Sequence, residues 1–329
     1  MVKFSPISQQ RVRMKPSTPH SRKPSHPSEA SATAAVSRLH PNNPHHGRYD
    51  LQALAAAVPA LQGHFITTPA GDTSIDFSNA KAVLCLNQAL LKQFYGIEHW
   101  SLPQGFLCPP IPERADYVHH AADLLKLPYK RPVNAPTQAI RALDIGTGAN
   151  LIYPIIATRA LGWQVVGSDI SSAAIANANA IIAANAHLAG TEVRLQSDAS
   201  KAFSGVIHAD EYFDLTLCNP PFFKSADEAN KQAARKWRNL KGAKASSVRN
   251  FGGQQAELWC DGGEWAFLRR LIAESAVYAA QVGWFTSLVS NQDHLPKLQA
   301  LLRKLKVSEV KVVAMSQGQK RSHLLAWRF

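Results

Sequence analysis

The sequence predicts an α/β fold in which helices cover both faces of a mostly parallel, doubly wound sheet. Three observations support this prediction. The apolar run 139–145 leads into a glycine turn at 146–148, and a helical segment follows it through Leu161. A second apolar run, 163–170, has an acid near its end, and another, 213–218, precedes Asn-Pro-Pro-Phe. Strands that alternate with helical segments in this way are typical of parallel sheets.

Residues 1–38 have the composition of a disordered basic tail. They are rich in Pro, Ser and His, and their only acid is Glu29. Segments with so few large apolar side chains bury too little surface to fold. An organelle-targeting peptide is also rich in Arg and Ser, but scattered prolines oppose the amphipathic helix that it needs. We therefore expect either an RNA-tethering tail or a neutral extension.

Residues 39–135 are predicted to form an accessory helical module that contacts RNA. The clearest helix spans 79–95, where apolar residues recur at helical spacing. The stretch 40–48, His-Pro-Asn-Asn-Pro-His-His-Gly-Arg, suggests a metal site. No Cys or acid pattern completes the ligand set, so we expect no metal. The stretch is then either a plain loop or an RNA contact made by Arg48.

Two strand ends of the predicted sheet carry candidate ligand contacts. The first strand contains Asp144 and leads into the turn of Gly146 and Gly148, which lets the backbone approach a ligand closely. The three-glycine spacing of dinucleotide-binding proteins is absent. The second strand ends with Asp169, a little over twenty residues after Gly146. An acid at this position binds two ribose hydroxyls, and the alternative role is to cap the following helix, 173–188.

The remaining elements complete a sheet domain over 136–329. A third strand, 192–197, leads to Asp198, at the position of an acid that contacts adenine. The later elements are a helix after Glu264 that ends at Ala280, a strand at 282–290, a helix at 295–305 and a hairpin of 309–315 with 323–329. The sequence thus predicts seven strands, of which the last is antiparallel.

Asn219-Pro220-Pro221-Phe222 follows the strand 213–218 directly and indicates methyl transfer to a planar nitrogen. Such a nitrogen is a weak nucleophile because its lone pair is delocalised into a ring or carbonyl. An Asn side-chain oxygen and the next backbone carbonyl accept its two hydrogens and turn the lone pair towards an incoming methyl group. The prolines fix the turn, and Phe222 offers a flat face to an extruded base. The alternative is a strand that ends in a plain proline turn.

All these candidate contacts fall at the carboxyl ends of predicted strands, where doubly wound sheets bind their ligands. They are Asp144, Gly146, Gly148, Asp169, Asp198 and Asn219. The shared placement predicts one pocket for a methyl donor and its acceptor.

Several blocks of sequence occur in a characteristic order along most of the chain. They are 39–50, 105–110, 114–117, 144–150, 219–222, 250–255, 257–260, 262–264 and 284–290. Through these blocks the chain resembles the S-adenosylmethionine-dependent methyltransferases, and more narrowly the bacterial family that methylates adenine N6 in 23S ribosomal RNA. The eukaryotic relatives that methylate small nuclear RNA are similar over the same core.

The resemblance implies a Rossmann-like class I methyltransferase that transfers a methyl group in line to a flipped-out adenine. It implies that S-adenosylmethionine is bound by Arg114, Gly146, Asn150, Asp169 and Asn219. Arg114 would grip the carboxylate of the donor with a two-pronged bond, and the alternative is an ordinary surface arginine. Asn150 stands where relatives carry Ser.

The charge of the chain favours a polyanionic partner, because the net charge is +13. Residues 224–250, after the Asn-Pro-Pro-Phe motif, are predicted to form a mobile basic loop that either contacts RNA or is a solvated face. The candidate RNA contacts are Arg48, Lys224, Arg235, Lys236, Arg238, Lys241, Lys244 and Arg249.

The four cysteines are widely spaced and form no Cys-x-x-Cys pair, which indicates reduced thiols and a cytoplasmic location. No apolar run is long enough to span a membrane. We expect a monomer whose partner is 23S ribosomal RNA or a precursor of the large subunit.

Three other functions remain open. Guanine-N2 methylation of RNA and glutamine-N5 methylation of a protein share the Asn-Pro-Pro-aromatic motif. The basic charge disfavours a protein substrate, and the extent of the resemblance disfavours both. A non-catalytic RNA-binding assembly factor is disfavoured by the intact Asp144, Gly146, Asp169 and Asn219.

Overall fold

A central sheet organises the part of the chain that the computed structural model describes, which is residues 39–126, 139–225, 228, 259–317 and 320–329. Mostly apolar, buried runs form its central strands, as expected for strands that are covered on both faces, whereas the two edge strands are partly exposed and carry charged residues. In chain order the strands are β1 (Phe65–Thr67), β2 (Thr73–Ile75), β3 (Arg141–Ile145), β4 (Gln164–Asp169), β5 (Thr191–Leu195), β6 (Phe213–Cys218), β7 (Val282–Val289), β8 (Glu309–Gln317) and β9 (Lys320–Arg328).

The described residues also form seven α-helices and four short 3-10 segments. The helices are α1 (Leu51–Ala57), α2 (Ala80–Tyr95), α3 (Ile111–Asp123), α4 (Ile152–Leu161), α5 (Ser172–Ala183), α6 (Gly263–Ser275) and α7 (Leu295–Lys304). The 3-10 segments are Pro59–His64, Ala186–Leu188, Ala276–Tyr278 and Gln292–His294.

The strand order in the seven-stranded sheet is β5-β4-β3-β6-β7-β9-β8. The strands β3 to β7 pair in parallel, while β9 is antiparallel to both β7 and β8. The predicted α/β fold, with a mostly parallel sheet and an antiparallel last strand, is therefore confirmed. The carboxyl ends of β3, β4 and β6 lie at one edge, which brings the predicted ligand contacts together.

Two features of the fold differ from the sequence prediction. The helix predicted for 173–188 ends earlier, because Asn185 adopts an extended backbone and its side chain amide donates to the carbonyls of His99 and Ile181. The module before the sheet contains a short antiparallel hairpin, β1 with β2, in addition to helices. Strands of three residues are too short to leave a periodic pattern.

The helical module and the sheet share one apolar core. The described residues form a single compact unit, in which Leu90 and Ile111 belong to the same buried cluster as Leu215 of β6. The predicted boundary at 135/136 lies outside the described residues and stays a prediction. The predicted tail, 1–38, lies outside the described residues, as does the basic loop except for 224, 225 and 228.

None of the helices in the described ranges is both long and apolar enough to cross a bilayer.

Candidate active site

The turn after β3 is held against β4 by backbone contacts. Gly146 and Gly148 both have positive φ, at 74° and 65°, a conformation that glycine adopts without strain. The N–H groups of Gly146 and Thr147 both donate to the carbonyl of Ser168, at 2.9 Å. Thr147 packs on Gly167: a Cβ added at Gly167 would lie 2.9 Å from the Oγ1 of Thr147. The glycine turn is thus fixed in position.

Asp169, at the end of β4, ties the turn to the start of α5. Its carboxylate accepts the N–H of Gly148 at 2.9 Å and that of Ser171 at 2.8 Å. Burial raises its pKa, and these backbone bonds lower it in part. The N-cap of α5 is Ser171, whose hydroxyl accepts from Ala174. Ser171, and not Asp169, therefore caps α5. The carboxylate of Asp169 has further lone pairs that can accept hydrogen bonds from hydroxyl groups of a ligand.

Asp144 lies inside the sheet, one residue before the end of β3, and is fully buried. Among the described residues neither of its carboxylate oxygens has a hydrogen-bond partner. Burial raises its pKa to about 7, an effect that the nearby Thr147 hydroxyl and Arg114 guanidinium partly offset. Asp144 does not line the cavity at this edge of the sheet, and its contact with the donor stays a prediction.

Arg114 is buried on α3 and faces the same region, and is not a surface arginine. Its Nη1 donates to the Tyr153 hydroxyl at 3.1 Å, and within the described ranges no carboxylate forms an ion pair with it. Asn150 is also buried, but its amide oxygen accepts the N–H of Ile152 and its nitrogen donates to Leu107. Arg114 is therefore free to bind an anion. The side chain of Asn150, in contrast, already bonds the backbone of Leu107 and of Ile152, the first residue of α4.

The Asn-Pro-Pro-Phe motif begins where β6 ends. Asn219 and Pro221 line a cavity at this edge, whereas Pro220 is buried and does not line it. The Asn219 Oδ1 atom is buried and has no hydrogen-bond partner in the part of the chain that is described. Phe222 is half-buried and lies outside the lining. The motif thus contains one unsatisfied acceptor, in a residue that lines the cavity.

One cavity gathers most of the predicted donor contacts. Of the residues that the sequence singles out, its lining includes Arg114, Gly146, Gly148, Asn150, Asp169 and Asn219. Asp198 is not part of the lining: it is exposed, and its carboxylate accepts from the N–H and hydroxyl of Ser200. Gln196 and Ala199, on either side of it, line the cavity instead.

Sequence reasoning missed several residues of this lining. They are Tyr153, Gln196, Lys201, Trp259, Cys260, Phe267 and Arg270. The indole N–H of Trp259 is buried and, among the described residues, lacks an acceptor. Trp259 forms an isolated bridge with Phe223, immediately after the Asn-Pro-Pro-Phe motif. That pairing joins segments distant in sequence, so no local pattern marks it.

The predicted RNA contacts are only partly described. Arg48 is highly exposed in the helical module and pairs with Asp72 at 3.0 Å. Lys224 is exposed next to the motif, and its N–H donates to Glu228. The other candidates in the basic loop, Arg235, Lys236, Arg238, Lys241, Lys244 and Arg249, lie outside the described residues.

His40, His120 and Asp123 place three possible metal ligands within 4.8 Å of one another. The hydrogen bonds of His40 argue against a metal there. Its Nδ1 accepts the N–H of Asn42, so the neutral ring carries its proton on Nε2, which faces Asp123 at 3.0 Å. A ligand nitrogen must be unprotonated, and a metal at Nε2 would therefore break the Asn42 bond.

The fold and the site together define a class of protein. That class is the class I S-adenosylmethionine-dependent methyltransferases. Its features here are the strand order, the glycine turn after β3, the acid at the end of β4 and the Asn-Pro-Pro-Phe motif after β6.

Comparison with known proteins identifies the family. Residues 33–329 match the sequence model of a family described as RNA methyltransferase, and the chain belongs to that family. S-adenosylmethionine is accordingly its methyl donor, and the predicted family, enzyme class and cofactor are confirmed.

Two bacterial relatives are similar over almost their whole length, and both are named Ribosomal RNA large subunit methyltransferase F. The protein from Ectopseudomonas mendocina is 52% identical over 313 residues, which cover 94% of this chain and 93% of the relative. The protein from Klebsiella pneumoniae is 52% identical over 292 residues, which cover 88% of this chain and 94% of the relative.

Solved structures of human METTL16 have the same architecture. Its catalytic domain, in complex with a 3′UTR hairpin, is 26% identical with a TM-score of 0.74, covering 88% of this chain and 95% of that one. Its N-terminal domain in complex with SAH is 22% identical with a TM-score of 0.69, covering 88% and 98%, which supports the fold alone.

Proposed function

We propose that this protein transfers the methyl group of S-adenosylmethionine to N6 of one adenine in 23S ribosomal RNA. The observation that carries the proposal is the buried, unpartnered Oδ1 of Asn219 at the cavity that also contains Arg114 and Asp169. An exocyclic amine supplies the donor hydrogen that this oxygen lacks. The names of the bacterial relatives support large-subunit ribosomal RNA as the substrate.

The residues divide into two groups with different tasks. Arg114 binds the carboxylate of the donor, Gly146 and Gly148 let the backbone approach it, and Asp169 accepts the ribose hydroxyls. Asp144, buried near the end of β3, completes the donor side as a carboxyl group whose pKa burial raises to about 7.

Asn219 and the carbonyl of Pro220 orient the amine for in-line attack on the methyl group, and Phe222 stacks on the extruded base. The sulfonium of S-adenosylmethionine supplies the leaving group when the donor is bound. No covalent intermediate with a cysteine is needed. Cys218, next to the motif, is fully buried, and burial raises its pKa well above its ordinary range.

We further propose that the protein acts in the cytoplasm, as a monomer and without a metal. The hydrogen bonds of His40 oppose a metal at the histidine cluster. The four described thiols are unpaired with each other, in keeping with a reducing compartment.

The test identifies the product. The protein is incubated with labelled S-adenosylmethionine and either unmodified 23S transcript or large-subunit precursor particles, and the RNA is digested to nucleosides for mass spectrometry. We expect labelled N6-methyladenosine. Labelled N2-methylguanosine, or label only in protein, would overturn the proposal. The Asn219→Ala variant serves as the control: it keeps donor binding within several-fold and loses most of the label.

A further inference from the structure

Tyr117 of the helical module contacts the strand that carries the Asn-Pro-Pro-Phe motif. It lies on α3, three residues after Arg114, and is fully buried where α3 packs on β6. Its hydroxyl accepts the backbone N–H of Cys218 at 3.0 Å. This N–H belongs to the Leu217–Cys218 peptide, so the bond fixes the backbone of β6 one residue before Asn219.

The Tyr117 hydroxyl takes the place of a backbone hydrogen-bond acceptor in the sheet. The backbone ladder between β6 and β7 pairs Phe213 with Val282 and Leu215 with Trp284, and goes no further among the described residues. Beyond it, side chains make the connections. The N–H of Thr286 donates to the hydroxyl of Thr216 at 3.1 Å instead of to a backbone carbonyl.

The hydrogen bonds of this network have a defined direction. The Thr286 hydroxyl donates to the carbonyl of Thr216 at 2.6 Å. Its oxygen then accepts the proton of the Tyr117 hydroxyl, also at 2.6 Å, while Tyr117 accepts from Cys218. The chain runs from the Cys218 N–H through Tyr117 and Thr286 to the Thr216 carbonyl. Every hydrogen is used once, and a fully satisfied buried network of this kind is rigid.

The other backbone polar group of Cys218 also lies near a side chain. Its carbonyl lies 3.4 Å from the hydroxyl of Ser287, which also lies 3.1 Å from the carbonyl of Leu288. The bond from the Cys218 N–H to Tyr117 allows the end of β6 to diverge from β7 without leaving this buried donor unsatisfied.

We infer that Tyr117 is a positioning residue, which holds the Leu217–Cys218 peptide at the end of β6 so that Asn219 faces the reacting amine. It does not itself line the cavity. This inference rests on the proposed function of Asn219. It makes the helical module part of the catalytic apparatus, because Arg114 and Tyr117 lie one turn apart on the same helix and serve the donor and the acceptor side.

The test compares variants that each lack one hydroxyl group. Three quantities are measured for each variant: the single-turnover rate of methyl transfer, the Kd for S-adenosylmethionine and the Tm. Tyr117→Phe leaves a buried N–H without an acceptor next to Asn219. We expect the transfer rate to fall roughly ten- to a hundredfold, with a donor Kd within about threefold of wild type.

The matched control is Tyr95→Phe. Tyr95 is also buried in the helical module, and its hydroxyl bonds the imidazole of His45 at 2.8 Å, away from the cavity. This variant is expected to lower the Tm and to keep the wild-type rate. A rate in Tyr117→Phe equal to that of Tyr95→Phe would overturn the inference.

A second pair of variants decides the matter if Tyr117→Phe does not fold. Thr286→Val removes the middle hydroxyl of the network at constant shape, and Thr286→Ser retains it. We expect the serine variant to recover most of the rate that the valine variant loses, and equal rates in the two would overturn the inference. Absence of methyl transfer by the wild-type protein would refute the proposed function instead, so the two failures are distinguishable.

Discussion

Buried polar groups are arranged differently in the helical module and at the carboxyl edge of the sheet. In the module several of them are paired with each other: His45 lies between the hydroxyls of Tyr49 and Tyr95, and Asn43 donates to the carbonyl of Pro112. At the sheet edge Asp144 and Asn219 have no partners among the described residues.

This difference separates groups that stabilise the fold from groups that await a ligand. A satisfied buried hydrogen bond stabilises a protein by about 1 kcal/mol, whereas an unsatisfied buried group costs about 1–3 kcal/mol. Proteins retain such costly groups mainly at sites of function. The two regions should therefore respond in opposite ways to the same kind of substitution.

The largest contrast is expected between Asn219, whose side-chain oxygen is buried and unsatisfied, and the buried Asn185. Asn219→Ala removes an unsatisfied acceptor, so the transfer rate should fall roughly a hundred- to a thousandfold with little loss of stability. Asn185→Ala removes an amide that bonds His99 and Ile181 at 2.7 Å, so the free energy of unfolding should fall by about 2–3 kcal/mol while the rate stays near wild type. Urea unfolding and single-turnover assays measure both. Similar losses of stability in the two variants would contradict the comparison.

Asp144→Asn should make the protein more stable at high pH. Since burial raises the pKa of Asp144 to about 7, the folded state holds a proton that the unfolded state releases near pH 4. The stabilising contribution of this proton is present at low pH and is lost as the pH rises through 7. The uncharged variant should therefore gain about 2 kcal/mol at pH 8, and much less at pH 5. Urea unfolding without donor at both pH values checks this, and an equal gain at both would rule it out.

The helical module should show the reverse dependence on pH. Burial lowers the pKa of His45 to about 4, and that of His119 likewise to about 4. Between pH 6.5 and 4 the unfolded state binds protons that the folded state does not, so stability is present above pH 6.5 and is lost on acidification. His45→Gln should reduce this loss by about 1 kcal/mol. The free energy of unfolding is measured between pH 6.5 and 4. If it falls as steeply with acidification in the variant as in the wild type, His45 is not the source of the loss.

The smallest effect is expected at Asp198. Its carboxylate is engaged by Ser200 and lies outside the cavity lining, so Asp198→Ala should change the Kd for S-adenosylmethionine by less than about twofold. Asp169 is the matched acid within the lining, and Asp169→Ala should weaken binding about tenfold or more. Calorimetric titration measures both. Equal weakening would restore Asp198 as a donor contact.

The sequence was sufficient for features that depend on neighbouring residues. Buried strands leave apolar runs, and a glycine turn after a strand is visible directly, so the sheet and the positions of Gly146, Asp169 and Asn219 were predictable. The sequence marks Tyr117 only as part of the block 114–117, through which the chain resembles the methyltransferase family. Its partner Thr286 is 169 positions away, and no local pattern reveals such a pair.

The early end of α5 has the same cause. The residues near Asn185 have helical propensity, but its amide bonds the backbone of His99, 86 positions earlier in the chain. Tertiary contacts override propensity in such cases. Trp259 was missed for a similar reason, because it reaches the cavity through pairing with Phe223.

The contact of Thr147 with Gly167 limits how the donor site can change. A side chain added at Gly167 requires the Thr147 side chain to shift, because a Cβ would lie 2.9 to 3.1 Å from three of its atoms. A smaller residue at position 147 removes this conflict, so position 167 should accept side chains more readily in combination with a substitution at 147. Thr147 lines the cavity and Gly167 does not, so the donor site can be enlarged at position 147 alone.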